Sequence, residues 1–465
     1  MLLITDVTAI TVDARRRIVT DAAIAVDGDR IAEVGKAADL TARYPEADRL
    51  DGRGMVAIPG LIDAHVHTPQ TLLRGVADDV AWRPFLEEFI WPLQGRFEPE
   101  DALASIRLSM LEMLKSGTTC FVDPLVHSRY DVDGLAGAVV DFGLRGVLAK
   151  IVMDRAVQAE RTGLIHPGML ETEERSLAEA ARAFERWNGA GNGRVRIWYG
   201  PRVPREPVVA CSPEFYRRVA DAARDFRTGI TVHLAGERED VAFFRREFDR
   251  LPVEFARDNG LLGPNVLLAW GTHISEREIP ILARSGTPVV SCPQPAMKLG
   301  SGIARVPEMR AAGVTVGLGC DSGANNNSLD MIREMKAASL LHDVARLDAA
   351  ALTAEDVLEM ATIDGALCIG LEAELGSLEA GKQADVVLVG LRGAHTTPVF
   401  DPVSNLVYAA HGGDVDTVMV AGKVLMRGRE VLVADEEQVI EEAEKRGRSV
   451  LERAGIEVAP RWPVE

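Results

Sequence analysis

The chain has few of the features that mark secreted or membrane proteins. Its five cysteines are widely spaced and none belongs to a CxxC pair, a pattern typical of reduced thiols in a reducing compartment. No stretch reaches the roughly 18 apolar residues that a membrane helix needs. Asp6 interrupts the apolar start, and basic residues follow only later, which is the wrong order for a signal peptide. We therefore expect a cytoplasmic protein with no membrane partner.

Positive charge is also scarce. The chain has 52 lysines and arginines against 70 aspartates and glutamates, a net charge of −18. Nucleic acids and anionic membranes are poor partners for such a chain, so we expect a small-molecule substrate. Aromatic residues make up only 5%, but hydrophobic residues make up 47% of 465 residues. That is enough to build a large buried core.

The middle of the chain alternates between two sequence patterns, one typical of strands and one typical of helices. Apolar, β-rich runs are separated by segments with helical spacing, and we count eight such runs, at residues 56–62, 118–122, 146–153, 195–199, 230–234, 266–270, 288–291 and 314–319. Strands that alternate with helices pair in parallel, and eight such units predict a closed (β/α)8 TIM-like barrel. The fold class expected is therefore α/β.

The two ends of the chain have the sequence pattern of short strands and turns, unlike the alternating strands and helices of the middle. Residues 1–57 contain short alternating runs joined by turn residues, such as the Asp-Gly pair at 27–28, and similar runs return after residue 372. We predict a small β-sandwich formed from both termini, residues 1–57 and 372–465, with a C-terminal helix near 435–454. Residues 58–371 would form the catalytic barrel.

Side chains that can bind metal lie at the ends of several predicted strands. His65 and His67 follow the first strand, His233 ends the fifth, His273 follows the sixth and Asp321 follows the eighth. A barrel places its active residues at the carboxyl ends of its strands. Residues two apart on a strand share a face, so the first two histidines can reach one ion. The pattern predicts a metal site at this end of the barrel.

This donor set suits a hydrolase. Neutral imidazoles and one carboxylate hold a divalent ion and leave a position open for water. The ion lowers the pKa of that water and so provides hydroxide near neutral pH, while Asp321 can accept the proton and pass it on. We expect one divalent ion per chain, with zinc first and cobalt, manganese or iron as alternatives.

Further motifs extend the pattern over essentially the whole chain. They include Leu72-Leu-Arg-Gly75, Met297-Lys-Leu-Gly-Ser301 and Leu375-Gly-Ser-Leu-Glu-Ala-Gly381-Lys-Gln-Ala-Asp385. With the metal-type positions, they make the chain resemble the amidohydrolase superfamily. The branch it looks like holds the adenosylhomocysteine and methylthioadenosine deaminases and the chlorotriazine hydrolases.

The resemblance implies roles for individual residues. His273 would orient the water or polarise the substrate. Binuclear relatives carry a lysine after the fourth strand, whereas this chain reads Tyr199-Gly-Pro-Arg202 there, so a single metal is expected. A homo-oligomer is common in the family. The metal ligands implied are His65, His67, His233 and Asp321.

Four positions on the substrate side depart from the deaminases of this branch. Their glutamate three residues after the fifth-strand histidine is Gly236 here, and Glu237, one residue later, is a candidate replacement. Gln94 stands where the deaminases bind ribose with a glutamate. Arg202 and Ser291 stand where they carry histidines after the fourth and seventh strands. The departures predict retained water activation with a changed substrate.

A missing acid would also restrict the leaving group. General acid assistance typically contributes about 10²- to 10⁴-fold, and a thiolate or an aniline needs less of it than ammonia does. We therefore expect a mononuclear hydrolase that attacks a carbamoyl-type carbon, in a thiocarbamate such as molinate or in an N-aryl urea or carbamate. The chain resembles the phenylurea and molinate hydrolases in length and overall pattern. The candidate substrate contacts are Gln94, Trp82, Trp91, Arg202 and Ser291.

Two alternatives stay open. The same machinery could deaminate or dechlorinate a nitrogen heterocycle such as a triazine, adenosylhomocysteine or methylthioadenosine. A non-enzymatic scaffold that only binds metal is the other alternative, although the open coordination position and His273 disfavour it.

Overall fold

The computed structural model describes residues 1–463. Its strands, in chain order, are β1 (Leu2–Ile10), β2 (Ile18–Asp27), β3 (Arg30–Lys36), β4 (Asp48–Asp51), β5 (Met55–Pro59), β6 (Leu61–Asp63), β7 (Thr118–Val126), β8 (Arg145–Val152), β9 (Val195–Pro201), β10 (Ile230–Leu234), β11 (Val266–Trp270), β12 (Val289–Ser291), β13 (Val316–Leu318), β14 (Val386–Gly390), β15 (Val415–Val420), β16 (Lys423–Arg427) and β17 (Glu430–Val431).

The α-helices of six or more residues lie mostly between the barrel strands, and a 3-10 helix at Thr68–Leu73 and a π-helix at Phe85–Ile90 follow β6. The α-helices are α1 (Ala37–Arg43), α2 (Pro99–Lys115), α3 (Val132–Phe142), α4 (Glu173–Trp187), α5 (Pro213–Asp225), α6 (Arg238–Phe248), α7 (Pro252–Asp258), α8 (Ile279–Ser285), α9 (Pro293–Leu299), α10 (Val306–Ala311), α11 (Met331–Arg346), α12 (Ala354–Met360), α13 (Ile363–Cys368) and α14 (Glu436–Ala454). Across residues 1–463, none of the helices combines the length and apolar character that a membrane span requires.

Strands β6 to β13 form the predicted eight-stranded parallel barrel. Each strand pairs with its sequence neighbour, and the two ends of the sheet meet through a bridge between Val66 and Asp321. A hydrogen bond from Ala64 N to Leu318 O, 2.9 Å long, continues this closure. The fifth and sixth predicted strands have the bounds of β10 and β11. The (β/α)8 prediction is confirmed.

The first predicted barrel strand, residues 56–62, is in fact two strands that belong to different sheets. The chain leaves the terminal sheet after β5 and enters the barrel at β6, and Gly60 lies between them. A Cβ atom at Gly60 would lie 2.0 Å from Thr119 Oγ1. Only glycine lets the backbone pass this close to β7 while it changes sheets. A continuous apolar run hides such a crossing from a reading of the sequence.

The terminal segments form the second sheet, as their β-rich sequence pattern predicts. Its nine strands run in the order β17-β16-β15-β14-β5-β1-β2-β3, with β4 paired to β1. Strand β5 joins the two ends of the chain, since it pairs with β1 on one side and β14 on the other. An ion pair between Arg145 of β8 and Asp385, 2.7 Å long and largely buried, ties this sheet to the barrel.

Candidate active site

Four side chains that can bind a metal ion converge at one end of the barrel. They are those of His65, His67, His233 and Asp321, called the metal-type residues below. His67 Nε2 lies 3.2 Å from His233 Nε2 and 3.7 Å from Asp321 Oδ1, and His65 Nε2 lies 3.9 Å from Asp321 Oδ2. Barrel closure brings the first and last strands side by side. The Asp321 amide accordingly donates to His65 O at 2.8 Å, and the His67 amide donates to Asp321 O at 2.5 Å. The backbone thus positions three of the four groups.

These side chains fit a divalent metal ion. One ligand atom from each of His65, His67 and His233 lies within 4.8 Å of the others. His65 is fully buried, yet neither of its ring nitrogens has a hydrogen-bond partner within residues 1–463. Burial lowers the pKa of His67 to about 3 and those of the other two well below their usual value. Neutral imidazoles beside a carboxylate are the donor set that zinc prefers.

Asp321 is held in place from a second direction by Trp270. The indole Nε1 of Trp270 donates to Asp321 Oδ2 at 2.9 Å, and both residues have left-handed backbone, with φ values of 76° and 63°. Such backbone costs a non-glycine residue about 1–3 kcal/mol and clusters at functional sites. Burial raises the pKa of Asp321 to about 7, and a bound cation would lower it again.

The sequence pattern of metal ligands at strand ends does not include Trp270, because an indole does not bind metal. Trp270 is the last residue of β11 and aligns with Leu234 of the neighbouring strand, next to the pairing of His233 with Ala269. This position could have pointed to Trp270, because the residue that ends the sixth strand lies at the same end of the barrel as His233. The indole N–H does not titrate in water, so this position adds a donor and no proton carrier.

The structure does not bring His273 to the metal-type residues. The chain turns at Gly271, with φ of 60°, and His273 Nε2 lies 2.7 Å from Ser301 O. Among the described residues, those that line the pocket include Trp270 but not His273. Ser291 is buried in β12 and is likewise outside the pocket wall. Strands β11 and β12 end where the sequence predicts, but the residue that ends β11, Trp270, contacts Asp321, and the turn at Gly271 carries His273 away to Ser301.

Glu237 enters the pocket wall from the loop that follows β10. Its side chain accepts a hydrogen bond from Ser301 Oγ at 2.5 Å, and its backbone N–H donates to Asp240 Oδ2 at 3.1 Å at the start of α6. The residue is 6% exposed, and burial raises its pKa to about 7. Glu237 can therefore hold a proton near neutral pH and deliver it inside the pocket.

The pocket over this centre has an empty volume of about 1080 Å³, part of it open to solvent, which is large enough for a small organic substrate. Most of its wall is apolar. Of the five substrate contacts predicted from the sequence, Gln94, Trp82, Trp91 and Arg202 lie in this wall. Phe85, which follows the first strand together with these tryptophans, also lies in the wall. Further lining residues that the sequence did not single out include Gln70, Leu86, Ile90, Leu125, Tyr130, Ile151, Met169, Val208 and Leu299.

Known proteins similar to this chain include nucleoside deaminases. A 5-methylthioadenosine/S-adenosylhomocysteine deaminase of Moorella thermoacetica is 40% identical over 96% of this chain and 98% of its own. A 5′-deoxyadenosine deaminase of Methanosarcina mazei is 38% identical over 92% of this chain and 94% of its own.

Solved structures similar to this chain include a deaminase and also a chlorohydrolase. An adenosine deaminase from Xanthomonas campestris with bound zinc superposes with a TM-score of 0.90, at 28% identity over 97% of this chain and 98% of that one. An atrazine chlorohydrolase from Arthrobacter aurescens complexed with zinc gives a TM-score of 0.88, at 28% identity over 96% and 100%.

Two models of protein families match the chain. Residues 22–47 match an imidazolonepropionase-like composite domain of bacteria, and residues 56–425 match the amidohydrolase family. The second match spans the barrel and much of the terminal sheet. On this match and on the relatives above, the chain belongs to the amidohydrolase family, in the branch of the methylthioadenosine and adenosylhomocysteine deaminases and the triazine hydrolases.

Proposed function

We propose that this protein is a metal-dependent hydrolytic deaminase of an amino-substituted nitrogen heterocycle, with the adenine ring of a nucleoside as the first candidate. The observation that carries the proposal is the placement of Glu237. Its buried carboxyl group lies in the wall of the pocket that holds the histidine and Asp321 cluster, and its pKa is raised to about 7. The relatives that act on adenine nucleosides support the same substrate class.

The proposal reverses the preference drawn from the sequence. Thiocarbamates and N-aryl ureas were favoured because Gly236 occupies the position of the family's general acid. Glu237 supplies a carboxyl group from the next position, so expulsion of ammonia no longer lacks a proton donor. The phenylurea and molinate assignment remains a prediction, and dechlorination of a triazine is the related reaction to test beside deamination.

A metal ion held by the three histidines and Asp321 would supply hydroxide by lowering the pKa of water. In the reaction that we propose, water adds to the ring carbon that bears the amino group. Asp321 accepts the proton released by the water, and Glu237 protonates the amino nitrogen. The addition moves the electron pair of the attacked ring C=N bond onto the ring nitrogen, and this pair returns as the bond to the protonated amino group breaks and ammonia leaves. Transfer of the remaining hydroxyl proton to the ring nitrogen gives the ring carbonyl, and the proton held by Asp321 restores Glu237. Trp270 keeps Asp321 oriented throughout by donating to its second oxygen.

Several further properties belong to this proposal. We expect one metal ion per chain, because Arg202 stands where a bridging lysine would be required. The buried lysine on the neighbouring strand, Lys150, is engaged instead by Glu171 at 2.8 Å. All five cysteines are unpaired and buried, which supports a reducing, cytoplasmic location. A homo-oligomer remains an expectation from the family.

The test is a substrate panel on zinc-reconstituted enzyme. Methylthioadenosine, 5′-deoxyadenosine, adenosylhomocysteine, a chlorotriazine, molinate and a phenylurea are incubated separately, with products identified by mass spectrometry and ammonia by a coupled assay. We expect ammonia and the oxo product from at least one aminated heterocycle, and none with Asp321→Asn. Turnover of only molinate or the phenylurea would overturn the proposal. Removal of the metal by a chelator should abolish turnover, and zinc should restore it.

A further inference from the structure

Arg202 places a positive charge in the pocket wall without a matching negative one. It follows directly after β9, and its side chain lines the pocket. Its Nε atom is buried and has no hydrogen-bond partner within residues 1–463, and no carboxylate of that range forms an ion pair with it. A guanidinium keeps its charge in proteins, and a desolvated charge with no counter-charge is costly.

A second arginine of the same wall shows the contrast. Arg205 donates to both oxygens of Asp240, at 2.8 and 2.6 Å, and its guanidinium lies 4.9 Å from the centre of the Trp82 ring. Arg205, only three residues after Arg202, therefore has its charge neutralised by Asp240, whereas Arg202 has no such partner. Asp240, which lies on helix α6, forms an ion pair with Arg205 and not with Arg202.

The other acidic groups of the pocket are already engaged. Asp321 belongs to the metal-type cluster and accepts from Trp270, and Glu237 accepts from Ser301. A divalent ion beside Asp321 would leave the centre with excess positive charge, to which Arg202 adds. The pocket as a whole therefore favours an anionic guest.

Tyr130 adds a second free donor to this wall. The residue is 1% exposed and lines the pocket, and its hydroxyl has no hydrogen-bond partner within the described chain. Buried hydroxyl groups normally find a partner, and an unsatisfied one costs about 1–3 kcal/mol. Arg202, Tyr130 and His67 all line the same pocket. The two free donors thus lie in one region near the metal-type cluster.

We propose that Arg202 and Tyr130 form a carboxylate-binding subsite, and that the natural substrate is an amino-substituted heterocycle that carries a carboxylate near its reacting carbon. This inference rests on the proposed function and names its substrate class. A guanidinium matches a carboxylate with two parallel hydrogen bonds, and a tyrosine hydroxyl can supply a third. The apolar wall around Phe85, Ile90 and Ile151 would cover the ring.

The subsite is tested first by binding, independently of turnover. Benzoate and its neutral isostere benzamide are titrated by calorimetry into zinc-loaded wild type, Arg202→Met, Arg202→Lys, Tyr130→Phe and the control Arg161→Met, an exposed arginine outside the pocket. We expect benzoate to bind at least tenfold tighter than benzamide in wild type and the control. Arg202→Met should remove this preference, Arg202→Lys should keep part of it, and Tyr130→Phe should weaken benzoate several-fold.

The outcomes separate the subsite from the metal centre. Benzoate affinity that is unchanged in Arg202→Met would show that the metal centre alone binds the carboxylate, and would overturn the inference. Equal wild-type affinity for benzoate and benzamide would overturn it as well. Zinc content and circular dichroism of each variant establish that the site is folded and loaded, and Arg202→Lys provides a charge-preserving variant if Arg202→Met does not fold.

Turnover gives the second test. Aminopyrimidine carboxylates are compared with the corresponding carboxamides, and we expect kcat/KM to favour the carboxylate by at least tenfold in wild type and by less than threefold in Arg202→Met. A preference for the carboxamide, or for a phosphate-bearing analogue over the carboxylate, would contradict the subsite. Failure of every aminated heterocycle to release ammonia would instead defeat the proposed function, while the benzoate measurements would still decide the subsite.

Discussion

At the scale of single residues, the pocket contains two carboxyl groups in different surroundings. Asp321 faces the histidines and accepts from Trp270 at 2.9 Å, whereas Glu237 accepts from Ser301 Oγ at 2.5 Å. A carboxylate beside a cation remains ionised and can accept a proton, while a buried carboxyl with a raised pKa can donate one. The division of roles between base and acid follows from these surroundings.

Replacing Glu237 with glutamine should remove the acid while keeping a side chain of the same size. We expect kcat to fall about 10²- to 10⁴-fold, the usual contribution of general acid catalysis, with zinc content unchanged. Glu239→Gln, which alters an exposed glutamate two residues away, is the matched control. A loss of less than threefold in Glu237→Gln would rule out this residue as the proton donor.

The same group should shape the pH dependence. Burial raises the pKa of Glu237 to about 7, so its donating, protonated form predominates below that pH and disappears above it. The rate of the wild-type enzyme should therefore decline as pH rises through about 7, and Glu237→Gln should lack this decline in its residual activity. Stopped-time assays from pH 5 to 9 measure both profiles, and identical profiles would contradict the assignment.

Trp270→Phe should show what the indole N–H contributes at nearly constant volume. Loss of a hydrogen bond to a metal-binding side chain typically weakens metal affinity about 10- to 100-fold, and we expect that range here, with a fall in kcat larger than any change in KM. Chelator competition measures the affinity. Trp198→Phe, a buried tryptophan on β9 outside the pocket, controls for general loosening of the barrel. Equal zinc affinity in Trp270→Phe and wild type would remove the positioning role.

At the scale of structural elements, the loop after β10 and helix α6 place the acid. Asp240 in the first turn of α6 accepts a hydrogen bond from the Glu237 backbone N–H at 3.1 Å. It also accepts from the Nε and Nη2 atoms of Arg205. Arg205 in turn stacks on Trp82 of the segment that covers the pocket. Three separate elements are thus joined through one carboxylate.

Arg205→Lys should loosen this connection, because lysine cannot form the two-pronged contact or stack on the indole in the same way. We expect KM to rise about three- to tenfold, with a smaller effect on kcat, as Trp82 and the pocket cover lose their fixed position. Arg217→Lys, on the outer side of α5 and paired there with Glu214, serves as the control. Steady-state kinetics with the best substrate from the panel decide the matter, and a KM equal to that of wild type would count against the connection.

At the scale of the whole molecule, a buried ion pair joins the barrel to the terminal sheet. Arg145 of β8 donates to both oxygens of Asp385, at 2.7 and 2.9 Å, and Asp385 also accepts from the Ala421 amide at 2.8 Å. Both side chains are less than a tenth exposed. The pair links β8 to the residue just before β14, 240 positions later in the sequence.

Asp385→Ala should leave the Arg145 charge buried and unpaired, and should lower the free energy of unfolding by about 3–5 kcal/mol. The double variant Arg145→Met/Asp385→Leu should recover much of this loss, since it leaves no uncompensated charge. Denaturant titrations measure each effect. Asp51→Ala removes an exposed pair with Arg53, 3.9 Å long, and should change stability by less than about 1 kcal/mol. A similar small change for Asp385→Ala would show that the two units are not coupled through this pair.

The barrel, the terminal sheet and the residues of the metal site can be predicted from the amino-acid sequence alone. Periodicity is local, so eight apolar strands between helices can be read along the chain, and parallel strands necessarily bring their carboxyl ends together. His65, His67, His233 and Asp321 were found for that reason. The crossing at Gly60 was not, because it depends on the packing of Thr119 from a different strand.

Which groups face the substrate follows from contacts between elements that are distant in sequence. Strands β10 and β11 end where the sequence predicts. Whether Glu237 reaches the pocket, and whether Trp270 or His273 contacts Asp321, depends instead on how the loop after each strand turns. The free charge of Arg202 is likewise invisible in sequence, because pairing is settled by distant residues such as Asp240. Local patterns define the elements of this enzyme, and contacts between elements define its chemistry.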